Sequence, residues 1–436
     1  MRITMMTNTY SPHVGGVARS VGRFTDELRR RGHQTLVVAP KFKDSPADEV
    51  DTLRVPAIQN FNGSDFAVQI PTPGLVYERV EKFRPDIIHS HHPFLLGETA
   101  LRTAATMDLP LVFTHHTMYE WYTHYVPGDS EQMKRFVVEL STGYANMCDA
   151  VVAPSESLAR VLRERGVESR IEVIPTGVDA AKFREGDGAA ARKSLGLPQE
   201  AFVVGHVGRL APEKNLGFLA RAAAEFLKKR DDAYFVVVGG GPSEQEIRTV
   251  AEEAGVSERV ILAGVMRGDD LVNIYHAMDV FAFASHTETQ GMVLTEAMAA
   301  GTPVVAVDAP GAREVVNDTS NGRLLEKDDE ADFAAALEWV ASRSEKDRES
   351  LRRASLETAE RFSMPACAER AIRLYEFLIQ KTNTSKPVSE SLWESALRSL
   401  ECEWDLWSNR VHAASVAISG RLGKPVGKKD AGGELR

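Results

Sequence analysis

Cysteine is scarce in this chain, and the few cysteines indicate neither a disulfide framework nor a zinc site. The 436 residues include only Cys148, Cys367 and Cys402, whose spacing matches no metal-binding pattern. Few and widely separated cysteines are typical of a reducing compartment. The N-terminus also runs directly into a predicted strand, without a signal-peptide pattern. We therefore expect a cytoplasmic protein.

Long hydrophobic runs and an excess of positive charge are also lacking. No apolar run approaches the roughly 20 residues that a membrane-spanning helix needs. The net charge of −10 argues against broad nucleic-acid binding, which requires a basic footprint. Hydrophobic content of 43% and charged content of 26% are ordinary for a soluble globular protein. We expect no nucleic-acid partner and, at most, peripheral association with the inner face of a membrane.

Short apolar runs alternate with helical patterns twice along the chain. The first set lies at 2–7, 35–39, 86–90, 110–114, 149–153 and 171–174, and the second at 202–207, 234–238, 259–263, 279–283 and 303–307. Buried apolar strands separated by helices are typical of parallel, doubly wound sheets. The fold class is therefore predicted as α/β, with two Rossmann-like domains. Ligands of such sheets bind beyond the carboxyl ends of the strands.

The two sets of strands also suggest where the domains begin and end. The first domain is expected at 1–185 and the second at 195–363, with a junction near 175–198 in which 185–190 form a solvated linker. Helical residues 364–383 are expected to return to the first domain. Residues 384–436 then form a helical and disordered tail.

The residues with the clearest chemical meaning lie in the second domain. Arg209 and Lys214 leave a predicted strand, where two cations can flank a diphosphate. Glu288 and Glu296 bracket a turn that opens a helix, whose backbone N–H groups can face phosphates. A carboxylate on each side suits hydroxyl-rich groups, such as a sugar and a ribose. The expected donor-binding residues here are Gly239, Gly240, Thr289, Gln290, Gly291, Met292, Val293, Leu294 and Glu296.

In this order and at these spacings, the motifs resemble those of the retaining glycosyltransferases of family 4, which have the GT-B fold. The resemblance covers about residues 1–380 and implies a cleft between two domains, with a nucleotide-sugar donor on the second. It assigns catalytic roles to His116, Arg209, Lys214 and Glu288. Retention by front-side attack, with the departing phosphate accepting the proton, is likewise implied by the resemblance.

A glycine pair follows the first predicted strand. Gly15 and Gly16 let the backbone approach a ligand at a helix N-terminus, although a plain strand-to-helix turn has the same pattern. The resemblance places this loop over the donor diphosphate and the acceptor. A Gly-x-Gly-x-x-Gly fingerprint is missing, which weakens an NAD-dependent alternative.

A histidine doublet ends another predicted strand of the first domain. His116 is placed to reach a ligand, and the resemblance assigns it to the transferring sugar and the acceptor side. His115 is the alternative, because the doublet leaves the assignment open by one residue.

No two aspartates stand at Asp-x-Asp spacing in the chain, so the usual metal–diphosphate motif is lacking. Arg209 and Lys214 are expected to stabilise the leaving diphosphate instead. We therefore expect no metal ion and no cofactor.

Residues 113–127 resemble the acceptor region of bacterial diacylglycerol glucosyltransferases, as does the Thr287–Gly291 form of the donor motif. Tyr119, Trp121 and Tyr122 are the expected acceptor residues, in either a packed flap or a membrane-interface cluster. The implied reaction transfers glucose from UDP-glucose to diacylglycerol. The alternatives are mannosyl or other hexosyl transfer to a phosphoinositide, glycolipid or soluble sugar, a nucleotide-sugar epimerase, or a nucleotide-sugar-binding protein.

The tail after residue 384 extends beyond the family resemblance. Apolar residues recur at helical spacing within residues 388–406, among several glutamates, and a basic Gly-rich end follows. Two interpretations remain open. The helix docks on the body or on a second subunit, which its acidic residues favour, or it lies at a membrane interface.

Overall fold

The protein folds into two compact units in a computed structural model, which describes residues 1–13, 15–46, 49, 51–59, 68–70, 72–121, 130–286, 288, 290–385 and 392–419. The first unit comprises Met1–Pro175 and Ala368–Arg436, and the second Thr176–Cys367. The sequence analysis had placed the first boundary at 185 and the return at 364. Residues 178 and 364 lie in the second unit because the Val178 N–H donates to Phe362 O and the Met364 N–H to Val178 O, at 2.9 and 2.8 Å.

The first unit is built on a seven-stranded sheet of parallel strands in the order β3-β2-β1-β6-β7-β8-β9. A two-stranded antiparallel ribbon, β4-β5, accompanies it. The elements are β1 (Arg2–Met6), α1 (Gly16–Arg30), β2 (Gln34–Pro40), β3 (Thr52–Val55), β4 (Ala57–Ile58), β5 (Val68–Gln69), α2 (Pro73–Phe83), β6 (Ile87–Ser90), α3 (Leu96–Met107), β7 (Leu111–Thr114), α4 (Glu131–Met147), β8 (Ala150–Ala153), α5 (Glu156–Glu164) and β9 (Arg170–Val173).

The second unit is built on a six-stranded parallel sheet in the order β12-β11-β10-β13-β14-β15. Its elements are α6 (Ala180–Arg184), α7 (Gly188–Ser194), β10 (Phe202–Val207), α8 (Leu216–Lys229), β11 (Ala233–Val238), α9 (Glu244–Ala254), β12 (Val260–Gly264), α10 (Gly268–Ala277), β13 (Val280–Phe283), α11 (Met292–Ala299), β14 (Val304–Val307), α12 (Pro310–Arg313), β15 (Gly322–Leu325), α13 (Glu330–Ala341) and α14 (Glu345–Arg361).

Both sheets are doubly wound, as the alternating pattern predicted. In β10, Phe202 and Val204 pack into one apolar layer and Val203 into the layer on the opposite face. Strands buried on both faces read as continuous apolar runs, which is why the sequence revealed them. The strand order reverses between β1 and β6 in the first sheet and between β10 and β13 in the second. Such switch points open a crevice at the carboxyl ends of the strands.

Residues 185–190 are largely exposed, as the predicted solvated linker requires, but they lie within the second unit and do not join the two units. Asp187 caps α7 by accepting a hydrogen bond from the Ala190 N–H at 2.8 Å. Gly186 and Gly188 lie so close to His276 of α10 that a Cβ at either position would be 2.3 Å from it. The segment is therefore held against α10 of the second unit, while most of its residues remain exposed.

The chain ends with two long helices, α15 (Met364–Ser385) and α16 (Leu392–Ser419). The predicted tail helix at 388–406 is thus longer and shifted towards the C-terminus. α16 packs on α3 and α4 of the same unit, as the docking interpretation expected. Residues 420–436, for which disorder was expected, lie outside the described residues. Within the described ranges, no helix combines the length and apolarity needed to cross a bilayer.

Candidate functional site

In the second unit, the loops that follow β10 and β13 carry the predicted catalytic residues Arg209, Lys214 and Glu288. β10 and β13 are neighbours in the sheet, and its strand order reverses between them. Arg209 and Lys214 follow β10, and Glu288 follows β13. The sheet topology therefore brings both segments to the switch point, where α/β sheets bind ligands.

Each of the two predicted cations is matched by a carboxylate. Lys214 Nζ forms an ion pair with Glu288 Oε1, joining the two loops, and both side chains are partly buried. Arg209 forms an ion pair with Glu213, four residues further along the chain, and its side chain is about half exposed. Of the predicted catalytic residues in this unit, the structure thus brings Lys214 and Glu288 into direct contact.

The N-terminus of α11 lies beside this ion pair along the chain. Gly291 precedes the helix with φ of 68°, a left-handed conformation that favours glycine. The Leu294 N–H donates to the Gly291 carbonyl at 2.9 Å. Helix geometry leaves the N–H groups of Met292 and Val293 without partners inside the helix. These groups and the helix dipole favour an anion at this end.

Two other predicted donor residues are engaged within the second unit. The buried Gln290 side chain accepts a hydrogen bond from the Thr176 N–H at 2.5 Å and donates one to the Thr176 carbonyl at 2.7 Å. Glu296 is buried on α11, where Oε2 accepts a hydrogen bond from the Tyr275 hydroxyl at 3.1 Å. Gln290 therefore anchors the start of the unit, and Glu296 is held inside it.

The glycine run after β11 allows two loops to approach closely. Gly239 has φ of 146°, and a Cβ there would lie 1.8 Å from the Gly208 carbonyl oxygen. The Gly239 N–H donates to Gly264 O at 2.8 Å, and Gly240 O accepts from the Leu210 N–H at 3.0 Å. The run thus positions the loop that carries Arg209.

His206 at the end of β10 is a buried polar residue of this region. Its Nδ1 donates to the Ala282 carbonyl at 3.0 Å, and its Nε2 has no hydrogen-bond partner among the described residues. Burial first, and then the Lys214 charge, lowers the His206 pKa to about 4, despite the opposing effect of the Ala282 carbonyl. A neutral imidazole therefore lies close to the loop that carries Lys214.

In the first unit, Gly15 forms the N-terminal boundary of α1. It is extended, and among the described residues no side chain caps the helix. The Gly15 carbonyl accepts the Arg19 N–H at 3.0 Å, and Gly16 opens the helix. The first-turn N–H groups of α1 lie after β1, at the switch point of the first sheet.

A histidine cluster occupies the carboxyl ends of β6 and β7. His91 Nδ1 lies 3.0 Å from His116 Nε2, so one ring donates and the other accepts. His92 Nδ1 accepts from the Asn8 N–H at 3.1 Å, and His89 bonds to Thr114 and Tyr375 at 2.7 and 2.6 Å. Burial lowers the pKa of His116 to about 4 and of His89 and His92 to about 3.

The structure separates the two histidines of the doublet. His115 is 1% exposed and packs edge-on against Phe113 and Tyr119, whereas His116 is partly exposed and contacts His91. Trp121 is exposed, and the Tyr119 hydroxyl has no partner among the described residues. Tyr122 and Thr289 lie outside the described residues.

Sequence reasoning missed His91, His92 and the buried state of His206. The His-Ser-His-His run at 89–92 follows a predicted strand in the same way as the doublet does, and that position was the available signal. No three His, Cys, Asp or Glu side chains of the described residues are grouped so that they could hold a metal ion.

Comparison with known proteins identifies the family. The family model described as "Glycosyltransferase Family 4" matches residues 14–182, and "Glycosyl transferases group 1" matches 187–358. The alpha-monoglucosyldiacylglycerol synthase of Streptococcus pneumoniae is 30% identical over 343 residues, 77% of each chain. A GDP-mannose-dependent alpha-mannosyltransferase of Mycolicibacterium smegmatis is 32% identical over 335 residues, 75% of this chain and 85% of the relative.

The fold agrees with solved structures of this kind. The crystal structure of HepE from Anabaena in complex with UDP superposes with a TM-score of 0.69 at 21% identity, covering 87% of this chain and all of the other. The two parallel-sheet units have the Rossmann-like architecture of GT-B glycosyltransferases. The chain belongs to glycosyltransferase family 4 and is a glycosyltransferase.

Proposed function

We propose that the protein is a retaining hexosyltransferase that moves glucose from UDP-glucose to diacylglycerol or a closely similar lipid. The observation that carries this proposal is the 30% identity, over 77% of both chains, to a synthase named for glucosyldiacylglycerol. The resemblance of residues 113–127 to the acceptor region of such enzymes supports the same acceptor. The fold and the family allow other hexoses, so the donor and the acceptor require a direct test.

The Lys214–Glu288 ion pair is the proposed centre of donor binding. A diphosphate offers Lys214 two negative charges in place of one, and the N-terminus of α11 adds N–H donors nearby in sequence. We infer that the diphosphate takes Lys214 and releases the Glu288 carboxylate to accept hydrogen bonds from sugar hydroxyls. Arg209, which is paired with the partly buried Glu213, then supplies a second cation.

These groups support departure of the nucleotide without a metal ion. The bond between the anomeric carbon and the diphosphate oxygen breaks, and the acceptor hydroxyl oxygen forms the new bond on the same face. The hydroxyl proton passes to the leaving diphosphate. Lys214, Arg209 and the α11 N–H groups stabilise the charge that develops on that leaving group.

His116 is the proposed contact of the first unit with the transferring sugar. The buried His91 supports its ring through the 3.0 Å hydrogen bond, and the lowered pKa keeps His116 neutral at physiological pH. A neutral imidazole can accept a hydrogen bond from a sugar hydroxyl. Tyr119 and Trp121 follow it in the chain and are the proposed acceptor-side residues, together with Tyr122.

The test is a panel of radiolabelled donors against defined acceptors. UDP-glucose, UDP-galactose and GDP-mannose are each incubated with diacylglycerol in mixed micelles, with phosphatidylinositol, or without acceptor. The proposal expects a lipid-soluble glucoside from UDP-glucose and diacylglycerol. A product formed only from GDP-mannose, or only with phosphatidylinositol, contradicts it.

The mannosyltransferase is the second candidate, because the relative of that name is as similar as the synthase. The acceptor-free arm addresses the remaining classes. An epimerase releases free nucleotide and sugar without acceptor, and a binding protein leaves the donor intact in every arm. Acceptor-dependent consumption of the donor is the result that a transferase gives.

A further inference from the structure

α16 presents two different faces. One face docks on α3 and α4 through buried residues, namely Cys402, Leu406, Asn409, Ala413, Val416 and Ala417. The opposite face carries a row of exposed apolar side chains, which we call the outer stripe: Leu397, Leu400, Trp404, Trp407, Val411 and Ile418. Trp404 is 65% exposed and Ile418 86%, so the stripe is uncovered by the rest of the described chain.

The docking of α16 is specific, which fixes the outward direction of the stripe. Arg102 of α3 pairs with Glu403 at 2.5 Å, and Glu98 pairs with Arg410 at 2.5 Å. The buried Asn409 donates to the Leu140 carbonyl of α4 at 3.0 Å. These contacts fix the orientation of α16, and the stripe is therefore the face of a docked helix that points away from α3 and α4.

The hydrogen bonds also fix which end of α16 lies near the predicted acceptor region. Ser395 of α16 bonds to Thr106 near the end of α3, whereas Arg410 pairs with Glu98 near its start. α16 thus runs antiparallel to α3, and its C-terminal end lies where α3 begins. α3 begins just after the carboxyl end of β6, the edge of the sheet that carries the histidine cluster.

The chain continues from that end into residues 420–436. This segment contains five Lys or Arg, namely Arg421, Lys424, Lys428, Lys429 and Arg436, against two acidic residues, a net charge of +3 in a chain of net charge −10. Apolar residues followed in the sequence by cationic ones are suited to anionic membrane surfaces, because lysine and arginine are attracted to the headgroups and apolar side chains enter the interface.

A second copy of the chain fits the stripe less well. The stripe has the three- and four-residue spacing of a helix–helix seam, but such seams are usually filled by Leu, Ile and Val and flanked by charges that pair between copies. Here Trp404 and Trp407 lie in the middle, with ring centroids 5.5 Å apart. The flanking Glu403 and Arg410 already pair with the chain's own Arg102 and Glu98. Tryptophan prefers the membrane interface.

We propose that the outer stripe of α16 is the surface through which the enzyme binds an anionic lipid bilayer, and that the positive charge of the sequence that follows it strengthens this binding. The surface holds the acceptor-side edge of the first unit at the membrane. The idea that membrane binding brings the enzyme to a lipid acceptor rests on the proposed function. The binding itself is inferred from the exposed apolar stripe and from the positive charge of residues 420–436.

The test uses the full chain and vesicles of equal parts phosphatidylglycerol and phosphatidylcholine, without nucleotide sugar. Co-sedimentation of wild type is compared with the triple variant L400Q/W404Q/W407Q. Leu75→Gln, at an exposed apolar residue on α2 of the same unit, is the matched control. The triple variant is expected to bind at least about tenfold more weakly, because three large apolar side chains no longer leave water. The control is expected to bind like wild type.

A second variant, K424Q/K428Q/K429Q, tests the charge and is expected to weaken binding to these vesicles. Wild-type binding is also expected to fall with added salt. Equal binding by wild type and the stripe variant overturns the proposal. The proposal is also overturned if the wild type does not bind vesicles but forms a dimer, and the stripe variant is a monomer. That result would assign the stripe to contact with a second copy of the chain.

A measurement on the wild type alone covers the case in which the stripe variant fails to fold. Brominated lipids quench tryptophan that enters the acyl region, so quenching of the exposed tryptophans is expected on vesicle binding. Lack of quenching overturns the proposal. Intact vesicle binding without any glucosyl transfer to diacylglycerol instead contradicts the proposed function and leaves this surface supported.

Discussion

At the scale of single residues, the ion pair between Lys214 and Glu288 joins two loops at the switch point of the second sheet. Each side chain neutralises the charge of the other. Removing either partner leaves the other without its counter-charge in a partly buried position. The two variants should nevertheless differ. Loss of the lysine removes a contact to the leaving diphosphate, whereas loss of the glutamate charge frees the lysine for phosphate.

Lys214→Ala should lower the transfer rate by about 10²–10³, because one preorganised cation at the developing charge is lost. Glu288→Gln should retain UDP binding at least as strong as in wild type while losing transfer. Turnover measured on folded protein, together with UDP titration by calorimetry, checks both. Lys229→Ala, at an exposed lysine ending α8, is the control. Near wild-type turnover in Lys214→Ala contradicts the role given to that residue.

The buried histidines of the first unit make its stability sensitive to acid. Burial first, followed by the charges of Arg165 and His116, lowers the pKa of His115 from 6.5 to about 3, and burial lowers that of His116 to about 4. The unfolded chain therefore takes up protons first as the pH falls. The contribution of these groups to stability is present above pH 6.5 and is lost as the pH falls, towards pH 4 for His116 and pH 3 for His115, by up to ~1.4 kcal/mol per pH unit for each histidine.

His115→Phe should make this acid loss shallower, because one buried group that resists protonation is removed. The ring of His115 packs against aromatic neighbours, and its Nδ1 has no partner among the described residues, so phenylalanine suits the site. Melting temperatures measured from pH 7.5 to 4 for both proteins give the slopes. An unchanged slope shows that His115 is not a buried neutral group.

At the scale of elements, the close contact of α4 with α16 depends on one glycine. A Cβ at Gly143 of α4 would lie 1.9 Å from Oδ1 of the buried Asn409. Alanine is a better helix former than glycine by about 1 kcal/mol, so without α16 the substitution would stabilise α4. Because α16 is docked there, we expect Gly143→Ala to destabilise the protein instead.

Gly143→Ala should therefore destabilise the protein by about 1–3 kcal/mol, the usual cost of overpacking. Asn409→Ala in the same chain should recover part of that loss, which a double-mutant cycle measures. Gly22→Ala is the control, because Gly22 lies inside α1 with nothing near its would-be Cβ. If Gly143→Ala stabilises the protein as much as the control does, the docked position of α16 is wrong.

The strands and most helices could be predicted because their apolar periodicity is local. The segment 185–190 could not, since its fit against His276 depends on contacts with residues far along the chain. Likewise, the sequence gives no sign that Gln290 bonds to the Thr176 backbone. The doublet left His115 and His116 open because the complete burial of one ring and the partial burial of the other follow from tertiary packing.

At the scale of the whole molecule, the proposed mechanism uses protein groups, and no metal ion, to stabilise the negative charge of the leaving diphosphate. Transfer should therefore persist in EDTA at undiminished rate. The lipid product should be quantified directly, since coupled assays for released nucleotide contain enzymes that need metal. Loss of transfer in EDTA with recovery on adding Mg²⁺ or Mn²⁺ contradicts the roles of Arg209 and Lys214 in leaving-group departure.

The most direct test of the proposed function is the structure of the product formed from UDP-glucose and diacylglycerol. Purified enzyme is incubated with both substrates in mixed micelles, and the isolated glycolipid is analysed by NMR at its anomeric proton. The account predicts glucose joined to the free hydroxyl of diacylglycerol with the α configuration of the donor retained. A β-linked product, or no glucolipid from an enzyme that consumes another donor, contradicts it.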